Sequence, residues 1–228
     1  MTALIRKILL YLVSLVLYWG TGMLLACLVV LGGAVIKEPT AMVSILSAIV
    51  GLVIFSFWRF NAIYVFGHET THWLVAKLFL KDTGKMKLGS TGGSVEIAGT
   101  NVWITLAPYI IPFYVLLAIA VLGVSQIFWY PTPPKGVFAF GVATGLGYAY
   151  HLVLTRFVLS RQQTDLELYG KFFSIALIAF GNVLLLLLAV LMASNQWGEA
   201  RAFLARAWNL QCEWILKLVS LIRRITIK

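Results

Sequence analysis

Apolar residues run almost unbroken from Ile8 to Ile36, with only interruptions such as Ser14 and Thr21. A run of that length constrains the fold more than any other feature of the chain. At 1.5 Å per residue a helix over it is roughly 40 Å long, enough to cross a hydrocarbon core of about 30 Å. It also exceeds the ~7–15-residue core of a cleavable signal. The segment therefore reads as a retained first transmembrane helix, preceded by Arg6 and Lys7.

Five further apolar spans follow. They run over about 41–57, 62–80, 102–130, 136–159 and 166–193, after a first span of about 8–35. A single helix from Ala41 to Leu80 would be ~60 Å long, too long for a bilayer. A break is therefore expected near Arg59, within Trp58-Arg59-Phe60-Asn61. Pro108 and Pro112 share one face of the fourth span and should kink or open it. Gly141, Gly145 and Gly147 in the fifth allow close helix approach. Pro131-Thr132-Pro133-Pro134-Lys135 reads as a rigid loop and Ser160-Arg161-Gln162-Gln163-Thr164 as a polar turn.

Composition agrees with a membrane class: 61% hydrophobic and 11% charged residues, with a mean hydropathy of +0.94. The expected fold is an all-α integral membrane protein of about six transmembrane helices. At 228 residues it holds one polytopic domain, 1–196, and a basic tail, 197–228. In the tail Arg201, Arg206, Lys217, Arg223 and Arg224 mix with Phe203, Trp208, Trp214 and Ile215, an amphipathic pattern suited to the interface or to a partner. The net charge of +10 does not point to nucleic acid, because the basic residues are spread through loops and tail as in other membrane proteins. Cys27 and Cys212 give neither a disulfide framework nor a thiolate metal site.

His68-Glu69-Thr70-Thr71-His72 lies inside the third span and holds two of the three histidines. Spacing i,i+4 puts both imidazoles on one helix face, where they can bind one Zn²⁺. Glu69 sits beside that face, placed to take a proton from water held by the metal. Ionisable groups at membrane depth are costly and normally face a bundle interior with a partner or metal. Lys81 to Thr100 is the one long polar insert. Met86, Leu88, Val95 and Ile97 alternate there with Lys85, Lys87, Ser94 and Glu96 around Gly89-Ser90-Thr91-Gly92-Gly93, predicting a β-hairpin.

Two histidines leave a catalytic zinc short of a third protein ligand. His151 is a candidate, because it stands as far from the end of its span as His72 does from its own. Asp165 is the other, but depth alone favours His151, and at the start of the last span Asp165 reads more simply as a helix cap, with Glu167 in the first turn.

The stretch from Val65 to Gly99 resembles the site-2 protease (M50) family of intramembrane zinc metalloproteases, in particular its short M50B-like branch. The resemblance rests on Phe66-Gly67-His68-Glu69-Thr70-Thr71-His72 followed by Ser90-Thr91-Gly92-Gly93-Ser94-Val95, and on Thr164-Asp165 after Tyr148-Ala149-Tyr150-His151. It covers roughly residues 60–185. It implies His68, His72 and Asp165 as metal ligands, Glu69 as general base and Zn²⁺ as cofactor. Two positions depart from the family: Thr71 stands where glycine is usual, and Gln163-Thr164-Asp165-Leu166 replaces the longer motif around the aspartate. With a carboxylate completing the His₂-acid set of hydrolytic zinc sites, Asp165 is the expected third ligand. His151 then becomes a second-shell or substrate-contacting group.

The expected function is an intramembrane zinc metalloprotease acting on a transmembrane protein substrate. The alternative is a catalytically inactive member of the same fold, serving as a structural subunit of a larger membrane complex. A transporter fits less well, since no matching interrupted halves occur. The expected location is multi-pass in the lipid bilayer, a bacterial inner membrane. With six spans the Lys and Arg residues divide almost evenly between the two sides, so orientation stays open.

Overall fold

The computed structural model describes residues 3–35, 37–89, 92–128, 133–160, 164–193, 198 and 200–226. The expected loop at Pro131–Lys135, the turn at Ser160–Thr164 and the hairpin tip at Ser90 and Thr91 lie partly or wholly outside them. Nine helices and one hairpin follow in chain order among the described residues: α1 (Ala3–Val35), α2 (Pro39–Phe57), α3 (Asn61–Leu78), β1 (Thr83–Leu88), β2 (Gly93–Ile97), α4 (Val102–Ile110), α5 (Phe113–Phe128), α6 (Pro134–Leu159), α7 (Thr164–Leu168), α8 (Lys171–Ala193) and α9 (Ala200–Thr226).

Local chemistry sets most of these boundaries. Proline opens α2 and α6, where its missing N–H costs nothing. Trp58 is extended and ends α2, so the chain breaks beside Arg59 as expected. The Asn101 side chain accepts from the Ile104 N–H at 2.9 Å and caps α4. Ile111, placed before Pro112, is extended at φ −88° and ψ 113°, and α4 meets α5 there at 77°. The last span is not one helix. Gly170 adopts φ +88° between α7 and α8, a left-handed joint that glycine takes without steric penalty. Asp165 therefore belongs to a separate five-residue helix.

The hairpin forms with Met86 opposite Val95 and Leu88 opposite Gly93. Its more buried positions include Met86, Val95 and Ile97, while Lys85, Lys87 and Glu96 are exposed.

The chain is an all-α multi-pass membrane protein, but the six expected crossings are not reproduced. Four helices are long and apolar enough to cross (α1, α2, α6 and α8), and a fifth crossing results if bent α4–α5 counts as one. The helix carrying the histidines is not among them. Packing directions bear on the number of crossings as well. Gly141 lies against Thr40 and Val43, Gly145 against Ser44, Ser47 and Ala48, and Gly51 against Leu146 and Ala149. The Phe55 ring stands 4.9 Å from that of Tyr150. Residue numbers rise together along this contact, so α2 and α6 run parallel. An odd number of crossings must then lie between them, which the bent α4–α5 pair supplies when it counts as one span. In that arrangement the α3–hairpin unit enters and leaves on the same side of the membrane.

Helices α1 and α8 also run parallel, from Tyr11 against Phe172 and Gly20 against Phe180 to Leu31 with Leu187 and Leu191. Helix α9 returns antiparallel along α1. Its Phe203 and Ala207 are buried with Leu24, Cys27 and Leu31, and Trp208 stands edge-on to Trp19 at 6.4 Å. One face of the tail is thus taken up by the bundle.

A candidate metal centre

Helix α3 packs antiparallel on α4, with Val75 and Ala76 against Ile104 and Ala107. This turns the face carrying His68 and His72 toward the site-side ends of α6 and α8, where α7 lies. Ligand atoms of His68, His72 and Asp165 all fall within 4.8 Å of one another, the single such group among the described residues. His72 Nε2 stands 3.9 Å from Asp165 Oδ2. Two ligands at about 2.1 Å on a tetrahedral centre are roughly 3.4 Å apart, so a small inward movement would let the three share one ion.

Each ligand is held from behind. His72 Nδ1 lies 2.7 Å from the Ile104 carbonyl and, as N–H, donates to it. His68 Nδ1 pairs with the Tyr64 hydroxyl at 3.1 Å. Both contacts leave Nε2 free for a metal, the arrangement that fixes ring orientation in zinc sites. The Tyr109 hydroxyl donates to Asp165 Oδ2 at 2.9 Å. The donor set and its supports fit a divalent transition metal, with two imidazoles and one carboxylate.

Glu69 follows His68 on α3 and is buried, yet it reaches the wall of the same cavity. Its carboxylate makes no hydrogen bond to another described residue. The cavity measures about 840 Å³ and is bounded by α3, β2, the start of α4, the end of α6, and α7. Strand β2 comes very near. A Cβ on Gly93 would lie 2.8 Å from Glu69 Cγ and 2.8 Å from Val65 Cγ1, so glycine permits this approach. With β1 on its other side, β2 brings Gly93, Ser94 and Val95 to the cavity wall.

His151 stands outside the group. It is buried on α6, and its Nε2 meets Asn182 Oδ1 of α8 at 3.0 Å. Equal distance from helix ends therefore did not translate into equal position, because α6 turns His151 toward α8. Thr71 is accommodated where glycine was expected: it is buried, and its hydroxyl donates to the Gly67 carbonyl at 2.7 Å.

Residue patterns alone passed over Tyr64, Tyr109 and Asn182, and gave Gly93 only a place in the hairpin turn. Tyr64 was findable, since it precedes His68 by one helical turn. Nothing local signals Tyr109, which reaches Asp165 across 56 positions of sequence. No family model, no curated protein and no solved structure matches the chain.

Proposed function

We propose that the protein is a membrane-embedded zinc metalloprotease that hydrolyses a peptide bond of a membrane protein in the cavity between α3 and α7. One observation carries this reading: His68, His72 and Asp165 converge on one point while Glu69, on the helix of the two histidines, lines the same cavity without a hydrogen-bond partner among the described residues. A purely structural site has no use for an unengaged buried carboxylate, which is costly to keep. The resemblance of the HExxH stretch to site-2 proteases points the same way.

His68, His72 and Asp165 would hold the zinc. Bound there, zinc would polarise the scissile carbonyl and lower the pKa of water to ~7. Glu69 takes a proton from the attacking water as its oxygen bonds to the carbonyl carbon. The same carboxyl group then gives that proton to the amide nitrogen as the C–N bond breaks. The substrate must be extended at that point, because a helix hides its carbonyls in its own hydrogen bonds. The cavity-facing edge of β2 offers backbone groups with which an extended segment can pair.

The test uses purified full-length protein in liposomes, loaded with zinc and incubated with a panel of end-labelled single-span peptides. New termini are read by mass spectrometry. Glu69→Gln should abolish cleavage with zinc content unchanged, since the base is lost and the ligands are not. Loss of zinc in that variant would make Glu69 a ligand and remove the mechanism. Cleavage that survives the substitution would remove it equally.

A further inference from the structure

Buried Leu166, whose carbonyl accepts from Ser174 Oγ at 3.1 Å, pins the backbone beside Asp165, while the Asp165 carboxylate itself takes its hydrogen bond from Tyr109. Asp165 sits on a helix of five residues that ends at the left-handed Gly170 joint, and it is half-buried beside the cavity. Its partner is the opposite. Tyr109 is fully buried, lies in the last turn of α4 before the Pro112 break, and donates to Asp165 Oδ2. That oxygen is also the one facing His72 Nε2. The Tyr109 ring packs edge-on against His68, with centroids 5.2 Å apart, so a single side chain touches two of the three candidate ligands.

Tyr109 is itself anchored. Asn182 Nδ2 donates to the Tyr109 carbonyl at 2.8 Å and to the Ile178 carbonyl at 2.9 Å. Asn182 Oδ1 meets His151 Nε2, and the Tyr148 hydroxyl donates to the Asn182 carbonyl at 2.9 Å. Helix α4 ends before Phe113, whose N–H would otherwise reach the Tyr109 carbonyl, so that carbonyl is among the helix's unpaired last acceptors. Asn182 supplies a bond there from α8.

Resting on the metal-centre reading above, we propose that Tyr109 is the positioning residue of the third metal ligand, and that Asn182, braced by His151, fixes Tyr109 in turn. His151 then serves the site at two removes rather than as a ligand. Supports of this kind typically change metal affinity 10- to 100-fold when removed.

The experiment measures zinc affinity of the full-length protein in detergent by chelator competition, with the visible spectrum of the Co²⁺ form as a second readout. Tyr109→Phe keeps the ring and removes the donor. It should weaken zinc binding about 10- to 100-fold and alter the Co²⁺ bands. In an Asp165→Asn background the same change should alter affinity by less than about twofold, because its effect passes through Asp165. Asn182→Ser, which touches no ligand, should weaken binding in the same direction and keeps the idea testable should Tyr109→Phe not fold. Unchanged affinity in Tyr109→Phe, or an equal loss in the Asp165→Asn background, overturns the positioning role alone. A wild-type chain that binds neither Zn²⁺ nor Co²⁺ overturns the metal centre and this proposal with it.

Discussion

Replacing Gly93 by alanine adds one methyl group at the closest approach of the hairpin to α3. That methyl would lie 2.8 Å from Glu69 Cγ and Val65 Cγ1 and 2.9 Å from the Lys87 carbonyl oxygen. Carbon atoms in contact normally stand about 3.5–4.0 Å apart, so roughly 1 Å must be found. The Lys87 oxygen is backbone of the paired strand, so β2 cannot retreat freely toward β1. The strain falls on Glu69, Val65 and the hairpin position. Overpacking of this kind costs about 1–3 kcal/mol, and a misplacement of about 1 Å at a reacting group costs on the order of 10²-fold in rate. The expected result is a cleavage rate reduced about 100-fold with zinc content unchanged, because Gly93 touches no ligand. The neighbouring Gly92 has nothing within 4 Å of an added Cβ, so Gly92→Ala is the control and should keep near wild-type rates. The assay pairs peptide cleavage in liposomes with metal analysis of the same preparations. Full activity in Gly93→Ala, or loss of zinc in it, would refute the placement of Glu69 against the hairpin.

Other perturbations test the scaffold. Gly145→Ala would drive a methyl group into the Ser44 carbonyl oxygen and Ser47, so it should loosen the α2–α6 contact by about 1–3 kcal/mol in a denaturant titration. Gly170→Ala meets no neighbour but must hold φ +88°; a cost of about 1–2 kcal/mol from backbone strain alone is expected in the same titration. Single cysteines at Lys7, Asp82 and Lys135 in a cysteine-free background should divide by side. The first two should react with an impermeant thiol reagent from one face of sealed vesicles and the third from the other. Labelling of Lys7→Cys and Asp82→Cys from opposite faces would restore the six-span topology.

Punctuation was the part of the fold legible in the sequence. The break beside Arg59, the opening at Pro112 and the hairpin around Gly89–Gly93 all follow from residues whose backbone chemistry acts locally. The shape of the metal group was half legible. An i,i+4 histidine pair follows from helical geometry, whereas the placement of Asp165 needed the Tyr109 contact and the Gly170 joint. Hydropathy misjudged α3. Its apolar flanks make it resemble a span, but Asn61, His68, Glu69, Thr70, Thr71, His72 and Lys77 lower its apolarity below that of α1, α2, α6 and α8. The parallel course of α2 and α6 was hidden as well, because Gly141 and Gly145 announce a close approach without naming the partner or its direction.

That parallel course also redistributes charge across the bilayer. With five crossings, the described ends and connections on the cavity side carry Arg6, Lys7, Arg59, Lys77, Lys81, Lys85, Lys87, Arg156 and Lys171, against Lys37 and Lys135 on the other side, leaving aside α9. Translocation retains short cationic segments in the cytoplasm, so a five-crossing chain with this imbalance would turn the mouth of the cavity inward. A protease so oriented would draw its metal from the cell's own pool and release the cut end of its substrate into the cytoplasm. Lysines on the exposed hairpin, Lys85 and Lys87, would meet anionic headgroups there, each attracted by about 1 kcal/mol. The hairpin would then rest on the lipid surface as a charged collar around the entrance.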